Sequence, residues 1–294
     1  MKVRIKFSKL GSLRYVGHLD FMRAVQKIIR RTSIEAAYTK GFSPHHILSF
    51  ASPLGVGLES TGEYFDLELA YRDPFEMSVA DLARLNSIGL ENDELPEAPA
   101  SRWILDQLNE QAPEGVRFLG IRRVEENNNK AMALVQAADY TIFFEEDAFA
   151  GKDPSALLKG FLERSEIIVH KVSKKTESDV DIRPLIYASS VVTVDNSLFI
   201  NDPAQLETHQ DGEGADEQSG LAAAASLRIR EEGYPLAIDL KLSAGSAANL
   251  KPETVAMALM NHAGLEYDPF ACRVLRREMY MKDGKTLLDD GICF

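Results

Sequence analysis

The first seventy residues alternate between apolar and polar positions with two different periods. Val3, Ile5 and Phe7 alternate with basic residues at positions 2, 4 and 6, which is the period-two pattern of a strand with one buried face. In residues 18–31 the apolar side chains instead recur at helical spacing, on one side of the helix: Phe21, Met22, Ala24, Val25, Ile28 and Ile29. We therefore predict a strand and then an amphipathic helix, with the basic face of the strand joining that of the helix.

The pattern of apolar and polar residues in the remainder of the first half predicts further strands and two more helices. Short strands are expected at 34–38 and 47–51, and a longer one at 64–71. Asp73-Pro74 has the residue types of a helix start, with the helix running to about residue 88. After a polar break at 91–101, a short helix at 103–109 and a strand at 116–125 follow. This order is β-α-β-β-α-β with an extra strand, the ferredoxin-like arrangement of two helices on one face of an antiparallel sheet.

The second half repeats this order of elements. Strands are expected at 139–145, 167–172, 179–194, 221–229 and 273–281, with helices from Asp153-Pro154 to about 164 and over 252–262. We predict an α+β protein of two tandem ferredoxin-like domains, residues 1–125 and 131–294, joined by the polar segment 125–130. The acidic segment 202–220 has few apolar residues and is expected to be a disordered loop.

Composition narrows the functional classes. The 294 residues are 45% hydrophobic and contain no apolar run near the roughly 20 residues of a membrane span, so we expect a cytoplasmic protein that does not bind membranes. Only two cysteines are present, Cys272 and Cys293, which excludes a disulfide scaffold and an iron–sulfur cluster. No metal site or cofactor is predicted, since the histidine spacing of zinc sites is missing.

Charge is distributed unevenly along the chain. Residues 1–46 contain ten Lys or Arg and two Asp or Glu, a surplus of eight positive charges within a chain of net charge −12. Salt screens electric fields beyond about 8–10 Å, so this basic region can bind an anionic backbone although the whole protein is acidic.

Candidate binding residues are concentrated in residues 14–46. A loop at residues 40–46 carries Phe42 beside cations, so its ring could stack on an unpaired base while Arg14, Arg30 and Arg31 meet phosphates. The alternative is a phenylalanine tucked under the domain. The residues predicted to bind RNA or a partner are Arg14, Tyr15, His18, Asp20, Arg23, Lys27, Arg30, Arg31, Lys40, Gly41, Phe42, Ser43 and His45.

The histidines of this region leave three interpretations open. His18, His45 and His46 could face RNA, form an acid–base pair or hold a metal ion. His45 and His46 are adjacent in an extended segment, so only one of them can join a site with His18. For His18 we favour a structural role, capping the first helix and packing inward.

Several short motifs resemble a known family. The order RY-x-x-HLD-x-M, RR, Y-x-KGFSPH, SFASPLGVGLES and EY-x-D-x-EL is similar to the radical-SAM-linked domain family of bacteria. The resemblance is dense over residues 4–70 and looser beyond. It implies an accessory fused to, or encoded beside, a radical S-adenosylmethionine protein; the cysteine content excludes that this chain is itself the radical enzyme.

These observations lead to three functional hypotheses. The first is a non-catalytic accessory of a radical-SAM protein that binds RNA or the ribosome through the basic face of its first domain. The second is a metal-independent RNA-cleaving enzyme that uses His18 and His45 as acid and base. The third is an adaptor in which residues 14–46 contact only the partner protein.

Overall fold

A computed structural model describes residues 1–70, 99–125, 130–172, 177–192 and 213–294. These residues form an α+β fold. Its first half consists of β1 (Lys2–Lys9), α1 (His18–Arg31), β2 (Leu48–Phe50), β3 (Leu58–Glu68), α2 (Pro99–Glu110) and β4 (Val116–Val124). Its second half consists of α3 (Ala131–Leu134), β5 (Ala137–Phe144), α4 (Pro154–Leu162), β6 (Ile168–Val172), β7 (Glu177–Asp181), β8 (Ile186–Val192), α5 (Glu213–Glu231), β9 (Leu236–Ser243), α6 (Pro252–His262) and β10 (Cys272–Tyr280).

Eight of these strands form one continuous sheet. Its order is β4-β1-β3-β10-β5-β9-β8, with β2 also paired to β3, while β6 and β7 form a separate hairpin. Within the first half β4, β1, β3 and β2 are antiparallel neighbours in that order. The second half repeats this spatial order with β10, β5, β9 and β8, again all antiparallel.

The long strand β3 joins the two halves. Near its end it pairs with β2, as in Phe65 opposite Phe50. Near its start, residues 58–60 pair with residues 274–276 of β10 in the one parallel ladder of the described sheet. Gly62 lies between these two regions, and a Cβ atom there would come within 2.3 Å of the Arg277 carbonyl oxygen. Only glycine permits this close approach of the two backbones.

Three buried apolar clusters hold the helices on the sheet. In the first half, α1 and α2 pack with β1 around the ring of Phe7, which stacks on Phe21 at a centroid distance of 5.5 Å. In the second half, α4 and α6 cover another cluster that includes Phe161 and Leu259. Helix α5 contributes Ile229 to a smaller cluster with Leu275.

Many predicted elements are present with small changes of boundary. Helix α1 has the predicted limits, and Asp153 caps α4 by accepting hydrogen bonds from the backbone N–H groups of Ser155 and Ala156. The predicted 34–38 strand contains only isolated bridges, Ala36 to Leu69 and Tyr38 to His46. The predicted helix at 73–88 and most of the polar break at 91–101 lie outside the described residues.

The prediction was wrong for residues 213–231. The expected strand at 221–229 belongs to helix α5, and the following strand β9 was not predicted. The alternation of Leu227 and Ile229 with arginines resembles a strand, but the preceding run of four alanines has the highest helix propensity. The expected acidic loop is likewise helical from Glu213; its residues 202–212 lie outside the described ranges. The single strand expected at 179–194 is two strands, β7 and β8, separated by a turn at Arg183–Leu185.

Candidate nucleic-acid interface

The outer side of α1 carries four exposed cations, Arg23, Lys27, Arg30 and Arg31, which we call the α1 cationic face. They are exposed because the opposite side of the helix buries Phe21, Val25, Ile28 and Ile29. Asp20 forms an exposed ion pair with Arg23 at 2.9 Å. Within the described chain no acidic side chain lies within ion-pair distance of the other three members. The face therefore keeps most of its positive charge available.

The loop at residues 39–45 stands at the C-terminal end of α1. The N–H of Thr39 donates to the carbonyl of His45 at 2.9 Å, and His45 Nδ1 lies 3.2 Å from the carbonyl oxygen of Ser43. Gly41 has a φ of 126°, which few residues other than glycine adopt. The ring of Phe42 is wholly exposed, and Lys40 and Ser43 are exposed beside it. The alternative interpretation, in which Phe42 is packed beneath the domain, was therefore wrong.

A buried histidine anchors this loop. The ring of His46 packs against Tyr38 at a centroid distance of 4.6 Å, and His46 Nε2 forms a hydrogen bond with the Tyr38 hydroxyl at 2.8 Å. Burial, and then the positive charge of Arg30, lower the pKa of His46. Arg30 belongs to the last turn of α1, so the anchor of the loop lies within the electrostatic reach of that end of the helix.

An arginine–tyrosine pair stands at the other end of α1. The guanidinium of Arg14 lies 4.5 Å from the ring centre of Tyr15 and donates to its hydroxyl at 2.9 Å. Arg14 also lies 3.5 Å from the carboxylate of Glu59. Tyr15 is 65% exposed and Leu19 on the next turn is 61% exposed. Arg14 is therefore partly neutralised, whereas the Tyr15 ring is open to a partner.

His18 is the first residue of α1 and not its cap. Gly17 occupies the cap position, with no side-chain hydrogen bond to the helix. The ring of His18 meets Phe50 edge-on at 5.1 Å, as expected of an inward-packed histidine. Burial lowers the pKa of His18, with Glu63 opposing and Lys9 reinforcing this shift. The cavity beside it has a volume of about 10 Å³, which is room for about one water molecule.

The structure does not bring the two proposed catalytic histidines together. His18 touches Phe50, whereas His45 precedes Phe50 by five residues. The polar contacts of His45 are made within its own loop, with Thr39 and Ser43. In the described residues no hydrogen bond or ring contact joins His18 to His45.

The prediction that the basic face of β1 joins that of α1 was wrong. Arg4 is fully buried and forms ion pairs with Asp66 at 2.8 Å and with Asp290 at 3.0 Å. Lys6 is also buried and bonds to Glu278. These side chains point to the face of β1 opposite its apolar residues, and that face is covered by α5 and by the C-terminal segment. The surplus charge of residues 1–46 is thus divided between an interior part and an exposed part.

A set of buried acids and arginines lines the junction of β3 and β10, and we call it the charged seam. Glu59 is fully buried and accepts hydrogen bonds from the Gly11 N–H at 3.1 Å and from the guanidinium groups of Arg228 and Arg273. Glu63 forms an ion pair with Arg276 at 2.6 Å. The strand predicted at 64–71 begins after both acids, so the alternation of the sequence did not assign them to the sheet. The available signal was the charge of the last strand, in which Arg273 and Arg276 stand among apolar residues and require acidic partners when they are buried.

A family model matches the chain over residues 2–101 and 92–252, and its description is "Uncharacterized protein conserved in bacteria (DUF2344)". The chain belongs to this family. The DUF2344 match includes α1, the loop at 39–45 and the β3 part of the charged seam. No curated protein matches the chain.

Two further properties of this DUF2344 member concern its described residues. No helix there has both the length and the apolar character needed to cross a membrane. In the same residues no three His, Cys, Asp or Glu side chains are grouped so that they could hold a metal ion.

Proposed function

We propose that this protein is a non-catalytic accessory of a radical-SAM protein in the cytoplasm, and that it binds RNA or the ribosome through the α1 cationic face. The observation that carries the proposal is the α1 cationic face, three of whose four members lack an acidic partner in the described structure. A wholly exposed Phe42 follows it in the chain. Cations bind phosphates without regard to sequence, and an exposed ring can stack on a base. The radical-SAM partner is supported by the motif resemblance.

We also propose that each half is a ferredoxin-like unit. The support is the strand order that the two halves share. In the first half β1 lies between β4 and β3, and in the second half β5 lies between β10 and β9. In the second half the β6–β7 hairpin and helix α5 are insertions into that order. The seam then joins the two units into one sheet, so the first unit presents α1 on a rigid base.

The RNA-binding part is tested by replacing Arg23, Lys27, Arg30 and Arg31 with Gln. The affinity of the protein for an RNA strand that contacts four cations should fall as salt rises. The plot of log K against log salt concentration should have a slope of about −3, since each phosphate contact contributes about −0.7. We expect wild type to show this slope in fluorescence anisotropy, and the variant to lose most of its affinity and slope. The control replaces four exposed cations elsewhere, Arg102, Lys130, Arg164 and Lys251, by Gln. It changes the net charge equally and should bind as wild type does.

Two outcomes contradict the RNA-binding part. If wild type does not bind RNA at low salt, the α1 cationic face serves a protein partner instead. If the control loses as much affinity as the α1 variant, binding depends on overall charge. The partner part is tested separately, by measuring whether the wild type and the α1 variant bind a purified radical-SAM protein from the same bacterium. Absence of binding by wild type would contradict the partner part.

A further inference from the structure

Exposed rings stand at both ends of the α1 cationic face. Tyr15 precedes the helix and is 65% exposed; Phe42 follows it and is wholly exposed, with Tyr38 half exposed at the base of its loop. Single exposed apolar residues are common on proteins, but here each ring has a cation beside it, Arg14 for Tyr15 and Lys40 for Phe42. Cations and rings in alternation are the composition of surfaces that bind unpaired nucleic acid.

We propose that the RNA bound here is single-stranded, and that an unpaired stretch lies along α1 with bases stacked on Tyr15 and Phe42. This inference rests on the proposed function. It names the substrate class that the same surface takes.

The length of α1 sets the number of nucleotides that the site can bind. With 14 residues at about 1.5 Å each, α1 is about 21 Å long. Nucleotides stacked about 3.4 Å apart would cover that distance with about six units. In the chain the four cations lie between the two rings, and all four are exposed, so they can meet the phosphates of such an RNA.

A duplex could use the cations but not the rings. In a base-paired helix the faces of the bases are covered by their neighbours, so aromatic side chains reach them only in loops, bulges and ends. The ring of Tyr15 has one face against the Arg14 guanidinium, which leaves the other face for a base. Arg14 is itself paired with Glu59, so the guanidinium behind the Tyr15 ring has a fixed partner in the protein.

The test compares a labelled single-stranded RNA of 12 nucleotides with a duplex of the same length. We expect the single strand to bind at least about tenfold more tightly at equal salt, because stacking adds to phosphate contacts. In a series of single strands from two to twelve nucleotides, affinity should rise to about six and then level off.

Three alanine variants complete the test. Phe42→Ala and Tyr15→Ala should each lower single-strand affinity about tenfold, and should leave duplex affinity and the salt slope unchanged. Phe270→Ala removes a ring that is 85% exposed elsewhere and should change nothing. If single strand and duplex bind equally, or if Phe42→Ala and Tyr15→Ala bind as wild type does, this inference is wrong while the proposed function stands. Absence of any RNA binding by wild type would instead remove the proposed function.

Discussion

Arg276 and Glu63 form a bidentate ion pair across the junction of β10 and β3, with Nε and Nη2 each 2.6 Å from a carboxylate oxygen. Both side chains are buried, at 4% and 3% exposure. Arg276 also donates to the backbone carbonyl of Ser52 at 3.2 Å, so the pair connects three segments. The charge of Glu63 raises the pKa of Arg276 above its ordinary value, against the effect of burial.

Removal of one member of this pair is expected to destabilise the protein strongly. Glu63→Gln leaves the Arg276 charge buried without its counter-charge, which costs about 3–5 kcal/mol in comparable pairs. Urea unfolding followed by circular dichroism measures this loss. Replacing both residues by Met should cost less than Glu63→Gln alone, because no uncompensated charge remains. If Glu63→Gln is as stable as wild type, the ion pair between Glu63 and Arg276 contributes no stability.

Gly62 is expected to tolerate no side chain. In Gly62→Ala the Cβ would meet the Arg277 carbonyl oxygen at 2.3 Å, so the β3–β10 junction must separate. We expect a loss of about 3 kcal/mol or more in the free energy of unfolding, similar to other severe packing errors. The matched control is Gly220→Ala in α5, where no atom lies within 4 Å of the added Cβ. It should stabilise the protein by about 0.5–1 kcal/mol, and an equal loss in both variants would contradict the prediction.

What could be predicted from the sequence is what depends on near neighbours in the chain. Helix α1 has the predicted limits because its apolar side recurs within one stretch and Gly17 precedes it. The elements of the second half were predicted only in part, since residues 221–229 are helical and the strand β9 was not expected. In contrast, Glu63 and Arg276 are 213 positions apart, and no local pattern pairs them.

The errors have two origins. Arg4 alternates with apolar residues as a solvent-facing strand residue would, but its partner Asp290 comes from the far end of the chain. Residues 221–229 carry two competing local patterns, and the helix propensity of the four alanines prevails over the alternation of Leu227 and Ile229 with arginines. The surface of α1 needed no distant partner, so its cations stand where the helical period puts them.

The interior and exposed cations should therefore behave differently on substitution. Arg4→Gln removes ion pairs with two acids and a hydrogen bond to the Leu287 carbonyl, so we expect a loss of about 3 kcal/mol in stability. Its RNA affinity, measured where the variant is folded, should keep the salt slope of wild type. Arg31→Gln should do the opposite, with a stability change within about 0.5 kcal/mol and a shallower slope. A shallower slope in folded Arg4→Gln would show that interior cations also reach RNA.

The last prediction concerns pH and the loop that carries Phe42. His46 is buried at 4% exposure, and its Nδ1 has no hydrogen-bond partner in the described structure. Burial and the charge of Arg30 lower its pKa, so the folded protein disfavours the protonated ring. The unfolded chain protonates near the ordinary value of about 6.5. Between that value and the folded pKa the unfolded state binds more protons, so this contribution to stability is present above about pH 6.5 and is lost as pH falls through the folded pKa.

The melting temperature should therefore decrease between pH 7.5 and pH 5, and His46→Gln should decrease less over that interval. Carboxylates and His18 also contribute to the wild-type curve, so the difference between variants is the quantity to compare. Arg30→Gln removes a positive charge near His46, which brings the folded pKa closer to the unfolded one and should also flatten the curve. His45 also lowers the pKa of His46, so His45→Gln should flatten the curve slightly. Arg102→Gln removes an exposed cation elsewhere and should follow wild type. If His46→Gln and wild type have parallel curves, protonation of His46 is not what weakens the loop in acid.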